Sequence, residues 1–359
     1  MDLGITAAQL ISKIQKMSDA DKLRLNKSIF KDYLPTSDIS KFHAIDTGVN
    51  SGDPVTYIDK GNNWEYMKDA SGSSTNCSYN ECAAGISVTA GEWNLNRYDC
   101  KINYCYGDID LWVKDFLSSD TFLENDDSGT AYKNLLLEIT SVGIKNSHWT
   151  KSYFTYTGAT NTALSGTDGF FTKMLAIAPS GSDQRIQIAK NTAATYADQK
   201  LTSQEGFDII NELNSKAEDN DVLMQLSLVE TPIRCTRSIA KAYLNYLREN
   251  KQVNCCESDS TEKKYSLDSL NIYGRPIIVV REWDSIIKNV SDFNDGTKYD
   301  SPHRAIVGFK NNERIGTGEA DRLNEVKVQY DEIEEETIVK SKYTFGTKIM
   351  EETGFILAM

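Results

Sequence analysis

The sequence predicts an α+β chain with a projecting β-ribbon, and three observations lead there. Apolar residues recur at three- and four-residue spacing within 127–146, 203–216 and 237–249, the period of an amphipathic helix. Segments 37–110 and 302–359 instead alternate and are rich in aromatic and β-branched residues, the signature of strands. Between residues 203 and 280 the two element types alternate, which describes a mixed α/β unit. The chain has 359 residues, and at about 150 residues per domain two folded units are expected. With 40% hydrophobic residues, 25% charged residues and only 6 prolines, it has the composition of an ordinary folded protein.

Residues 1–36 read as a helical arm. Thr6 and Gln9 form a capping-box pattern ahead of the stripe Leu10, Ile11, Ile14 and Met17. Ser18 caps a second helix bearing Leu23, Ile29, Phe30 and Leu34, which stops before Pro35. Residues 37–110 form the ribbon region. Two alternating stretches, DPVTYIDKGNNWEYMKD and AAGISVTAGEWNLNRYDCKINYCYGDID, flank the Gly/Ser/Asn tip ASGSSTNCSYNE. A lone two-stranded ribbon is marginal in water and needs something to lean on, which a neighbouring subunit could supply.

Residues 111–160 contain a long helix introduced by Asp127 and Ser128, carrying Tyr132, Leu135, Leu136, Ile139 and Val142 and ending near Asn146–Trp149. A second domain is expected over 161–290. It opens with a Gly/Thr/Ser-rich loop and a short helix at Asp168–Ala176. A helix follows at Ser203–Lys216 with the capping box Thr202 and Glu205, then a strand DVLMQLSLV at 221–229, a helix Arg237–Glu249 after Thr236, and a strand LNIYGRPIIVV. The stretch CCESDSTEKK reads as an exposed loop. Residues 291–359 close the chain as sheet: HRAIVGFKN, a Gly turn at GTGEA, then NEVKVQYDEI, TIVKSKYTFGTKIM and GFILAM.

The net charge of −13 is spread along the chain, with a local acidic run at Asp331–Glu336, and argues against gripping phosphates over a broad surface. The longest apolar runs, such as Pro276–Val280, fall far short of the roughly 20 residues a membrane span needs. The start MDLGITAAQLISKIQKM has no secretory-signal pattern, so synthesis in the cytoplasm is expected. Seven cysteines, an odd number unevenly placed, suit a reducing compartment with free thiols.

No P-loop, HExxH or G-x-S-x-G motif is present, and Gly316 and Gly318 read as a hairpin turn rather than a dinucleotide loop. His43, His148 and His303 are widely separated, leaving a histidine-based site few ways to form, and His148 beside Trp149 reads as a packed or capping residue. Cys77-x4-Cys82 and Cys100-x4-Cys105 are the most suggestive constellation. Residues five apart on a strand face opposite ways, so free thiols or one cross-ribbon disulfide are preferred over zinc. The acidic run lacks the spaced ligands of a calcium loop and reads as a solvated strand edge. No catalytic, cofactor-binding or metal residue is assigned, and no cofactor is expected.

The order of elements resembles the Hong Kong 97-type major capsid proteins of tailed bacteriophages, particularly those of phages of Bacteroidetes hosts. Three stretches carry the resemblance in a shared order: NSHWTKSYFTYTGATNTALSGTDGFFTKMLA where a spine helix leads to an axial domain, YGRPIIVVREWD as the strand returning from it, and PHRAIVGFKNNERIGTGEADRLNEVKVQYDE with KYTFGTKIMEETGFILAM as closing strands. The resemblance implies an N-terminal arm at 1–36, an extended loop at 37–110, a peripheral domain with the spine helix at 111–160, an axial domain at 161–290 and returning peripheral strands at 291–359. It implies a structural subunit, not an enzyme, assembling with copies of itself as hexamers and pentamers into an icosahedral virion shell around double-stranded DNA. Scaffold and portal proteins are implied partners, decoration proteins are further ones, and no lysine–asparagine cross-link is expected. The nearest rival is an encapsulin-like compartment shell. A soluble cytoplasmic enzyme on the α/β segment lacks a recognisable cluster of titratable groups. A glycan-binding adhesin, suggested by 18 tyrosines and 5 tryptophans, lacks a signal peptide.

Overall fold

The computed structural model describes residues 38–59, 87–105, 143–144, 146–250, 266–267, 269–318, 327–331 and 336–359. The arm helices, the ribbon tip, most of the long helix, the CCESDSTEKK loop and most of the acidic run lie outside the described residues. The α+β class holds. Two sheets and a ribbon are organised around one strand layer that separates two hydrophobic cores.

That layer is a six-stranded sheet. In chain order its strands are β5 (Arg185–Ile186), β6 (Ile233–Cys235), β7 (Asn271–Ile272), β8 (Arg275–Val279), β9 (Ala305–Gly308) and β13 (Phe355–Ala358). Their spatial order is β5-β13-β9-β6-β8-β7. β6 and β8 run parallel, joined through the helix Arg237–Glu249, while β9 runs antiparallel to both β6 and β13. The central strands AIVG and FILA are apolar throughout because both faces of the sheet are covered. Ala305, Val307, Ile356 and Ala358 face one core, and the alternating Ile306, Phe355 and Leu357 face the other.

The first of these cores is made by the helices Ser203–Glu218 (α3) and Arg237–Glu249 (α4), which lay Ile209, Ile210, Leu213, Ile239, Tyr243, Leu244 and Leu247 against the sheet. α3 starts where expected. The Thr202 side chain accepts from the Glu205 amide, and the Glu205 carboxylate accepts from the Thr202 amide, so two orphan donors of the first turn are satisfied.

On the opposite face lies an aromatic core. It gathers Ile39 from the short helix Asp38–Phe42 (α1), Trp149 and Tyr153 from the helical segment 146–153 and Phe154 from the turn after it, Phe170, Phe171 and Met174 from Phe170–Ile177 (α2), and Trp283, Ile286 and Ile287 from Arg281–Asn289 (α5). Many of its rings meet edge-on, as quadrupoles prefer, Tyr153 to Trp283 at 4.8 Å and Phe171 to Trp283 at 5.0 Å between centroids, while Trp149 stacks on Tyr153 at 5.7 Å.

The second sheet covers this aromatic core. Its axis is β12 (Glu336–Ile349), a strand of 14 residues. β12 pairs with β4 (Asn96–Cys105) over residues 336–345, with β11 (Lys327–Asp331) over 336–340 and with β10 (Glu313–Gly316) over 346–349. β1 (Ala44–Asp46) adds in parallel to β10. The ribbon is β2 (Pro54–Asp59) and β3 (Ser87–Glu92), paired only to each other among the described residues.

Three sequence expectations change. The stretch 221–229 is not a strand: it holds a 3-10 turn at Leu223–Gln225, with Leu223 buried and Met224 and Val229 62% and 72% exposed. Its apolar residues do not alternate towards one face, and the strand of that connection is β6. The stretch 270–280 is a hairpin, not one strand, because Tyr273 and Gly274 both take positive φ, 48° and 90°, as a tight turn requires. The segment REWDSIIKN after it forms α5 rather than prolonging a strand, with Glu282 and Asp284 in its first turn and Lys288 in its last, matching the helix dipole. Residues 291–359 supply both sheets, since β9 and β13 pair into the layer that carries β6 and β8.

Candidate functional site

Four buried side chains, His43, Tyr153, Arg234 and Glu313, meet at the junction of the two sheets. Alternation along β6 sets this up. Ile233 and Cys235 point into the α3–α4 core, so Arg234 between them points into the aromatic core. It meets Glu313 at the start of β10, with Nη1 donating to Oε2 at 2.6 Å and Nη2 to Oε1, a two-pronged ion pair with both side chains buried. Arg234 Nη1 also donates to the Tyr153 hydroxyl at 3.1 Å. Gly308 leaves the room, as a Cβ there would lie 2.6 Å from Glu313 Oε1.

The proton arrangement follows from these donors. The Tyr153 oxygen accepts from Arg234, so its own hydrogen goes to His43 Nε2 at 2.7 Å. His43 Nδ1–H then donates to the Glu313 carbonyl at 3.1 Å. The ring is neutral, and its pKa is held well below the usual histidine value by burial and by the Arg234 charge. Burial likewise pushes the Tyr153 phenol up. Burial alone would lower the Arg234 guanidinium, but the Glu313 charge reverses that and holds it high. The network locks α1, the helix end at Tyr153, β6 and β10 together. Its hydrogen bonds are internal and its side chains are closed to solvent, as suits a clasp between elements; within the network, Arg234 Nε is the buried polar atom without a partner among the described residues.

His303 makes a second junction. Its Nε2–H donates to the Gln199 carbonyl at 2.5 Å, leaving Nδ1 to accept from the Ser238 hydroxyl at 2.7 Å in the first turn of α4. The pair has serine–histidine contact, but a neutral carbonyl, not a carboxylate, orients the ring, and burial lowers the ring's pKa. Asn191 completes the tie, accepting from the His303 amide and donating to its carbonyl. Arg304 next door stacks over Phe154, Phe171 and Phe293 at 4.8, 4.9 and 5.3 Å, and burial pulls its pKa down to about 10. His148 is packed as expected, stacked on Phe345 at 5.7 Å and edge-on to Tyr343 at 5.2 Å.

The cysteine constellation is only partly within the described residues. Cys100 is a free, exposed thiol on β4, Cys105 ends that strand five residues on, and Cys77 and Cys82 lie outside the described part. Among the described residues no group of three or more His, Cys, Asp or Glu could hold a metal ion. The residues that sequence reasoning did not find are Tyr153, Arg234 and Glu313. The one local signal was an arginine between the apolar Ile233 and Cys235.

No family model and no curated protein matches the chain. Solved structures do. A chain of the satellite phage P4 procapsid aligns over 92% of this chain and 98% of its own length, with a TM-score of 0.50 at 8% identity. The chain has the fold of phage capsid proteins. A chain from the Mycobacterium phage Ogopogo structure gives the same TM-score of 0.50, at 9% identity, covering 90% of this chain and 91% of that one. At such identities the likeness is one of architecture. No helix among the described residues is long and apolar enough to cross a membrane.

Proposed function

We propose that the chain is the major capsid protein of a tailed phage, which assembles with copies of itself, as hexamers and pentamers, into an icosahedral shell enclosing double-stranded DNA. The observation that carries this reading is the fold likeness to a procapsid chain across 92% of this chain and 98% of that one. Two physical features support it. The β2–β3 ribbon pairs with nothing else among the described residues, and such a ribbon gains stability from a neighbour. The buried titratable groups form clasps between elements, so the role is structural rather than catalytic.

In this reading the six-stranded sheet with α3 and α4 forms the axial domain, to which β9 and β13 from the 291–359 segment are added. The arm at 1–36, the extended loop at 37–110 and the peripheral domain around β12 make the contacts between subunits. The chain resides in the virion, holds DNA without reading its sequence, and works with scaffold and portal proteins. Light scattering and negative-stain microscopy on protein expressed alone and with its operon neighbours test this. Closed hollow shells are expected; a monodisperse monomer or dimer under both conditions would overturn it.

A further inference from the structure

The ribbon joins the body through two chain crossings, and one tryptophan organises both. The outgoing chain leaves β1 along β10, with the Gly48 and Val49 amides donating to the Gly318 and Thr317 carbonyls at 2.7 and 3.0 Å. It then turns through Asn50–Asp53 into β2, where the Asn50 amide donates to Asp53 Oδ2 at 2.6 Å. The returning chain leaves β3 at Trp93, whose amide donates to the Asp53 carbonyl at 2.9 Å and whose carbonyl accepts from the Gly52 amide at 2.8 Å. Trp93 is 4% exposed yet belongs to neither hydrophobic core.

Its indole is seated in a notch cut by two glycines. Gly316 on β10 and Gly346 on β12 are directly paired across the antiparallel ladder, so their missing side chains lie on the same face. A Cβ on Gly316 would lie 2.5 Å from Trp93 Cε3 and Cζ3, and one on Gly346 would lie 2.4 Å from the Asn94 carbonyl and 2.8 Å from Leu95 Cδ2. Contacts that short force the 93–95 segment away, and at Gly346 the obstacle is backbone. The same face carries Lys348, whose ammonium lies where a Cβ of Gly91 in the ribbon would be. The ribbon base therefore rests on β10 and β12 at a place where any side chain would lift it.

We propose that Trp93, held in the Gly316–Gly346 notch, is the pin that sets the direction in which the ribbon leaves the body, and that shell assembly depends on this pin. The assembly half rests on the capsid reading; the pin does not. The test compares the parental chain with Gly346→Ala and, should that variant fold poorly, with Trp93→Leu. Hydrogen exchange is read first on the unassembled subunits. We expect exchange at the Trp93 and Gly52 amides to accelerate by ~10-fold or more while α3 stays at its parental rate, since overpacking of this kind is released by local opening. Shell yield by negative stain should fall in step. Parental exchange at the ribbon base in both variants would overturn the pin, and faster exchange with undiminished shells would overturn its role in assembly. A parental chain that forms no shells would remove the assembly half together with the capsid reading, while the exchange comparison would still decide the pin.

Discussion

The two cores on either face of the six-stranded sheet are built by different means. The α3–α4 core is mainly aliphatic, drawn mostly from two neighbouring helices and short strands, and its packing follows the helical period. The aromatic core is assembled from six or more separated pieces of chain and encloses a charge network that joins residues as far as 270 positions apart. The first core holds a buried cation, Arg275, whose donors go to Asn214 on α3 and to Thr231; the other encloses a buried ion pair, Arg234–Glu313, whose parts are useful only together. Mutations should therefore fail differently on the two sides.

The largest effect is expected at the clasp. Glu313→Ala leaves Arg234 charged, buried and unpaired, and should cost about 3–5 kcal/mol in urea unfolding. The double variant Arg234→Met/Glu313→Leu removes both charges and should recover most of that loss. If the single variant were as stable as the parent, the clasp would not be what holds β6 to β10. In the aliphatic core, Leu213→Ala creates a cavity at a fully buried position and should cost about 3 kcal/mol, with no partner substitution able to restore it. A second-site rescue there would erase the contrast between the two cores.

Acid sharpens the comparison further. His148, packed against Phe345 and Tyr343, has its pKa lowered by burial from 6.5 to about 4. Between those values the unfolded chain takes up a proton that the folded chain refuses, so stability present above pH 6.5 is lost as the pH falls towards 4. The loss from this one group is at most ~3 kcal/mol. His43, lowered in the same way, adds to it. Stability measured from pH 7 to 4 should decline less steeply in His148→Phe, which keeps the ring packing without the titration. An unchanged slope would place the acid sensitivity elsewhere.

The same contrast explains what the sequence made legible. α3 and α4 could be read locally: Thr202 and Glu205 announce one start, and apolar residues at helical spacing carry both helices. β9 and β13 could be recognised as strands, but nothing local says that they pair with β6, because partner choice depends on residues tens of positions away. α5 was hidden because PIIVV leads straight into it and Val280 gives no side-chain cap. The clasp was least legible. His43, Tyr153, Arg234 and Glu313 are each unremarkable in their own stretch, and only the alternation of β6, which points Arg234 away from Ile233 and Cys235, brings them into one site. The ribbon base was half-legible: Gly316 reads as a turn glycine, but its role as half of a notch for Trp93 needs the register of β10 on β12.

The smallest predicted effect concerns the turn between β7 and β8. Tyr273, 71% exposed, holds φ at 48°, a backbone conformation that favours glycine or asparagine and costs a bulky residue some strain. Gly274 at φ 90° is suited to its place, so the strain of the turn is concentrated in Tyr273. Tyr273→Asn converts the pair to the Asn-Gly sequence such hairpins favour and should raise the stability of the isolated chain by about 0.5 kcal/mol in thermal unfolding. A lower midpoint would show that the tyrosine ring makes contacts within the subunit that outweigh the strain. A higher midpoint would mean that the isolated chain carries this tyrosine at a loss, as expected for a side chain whose partner is another subunit.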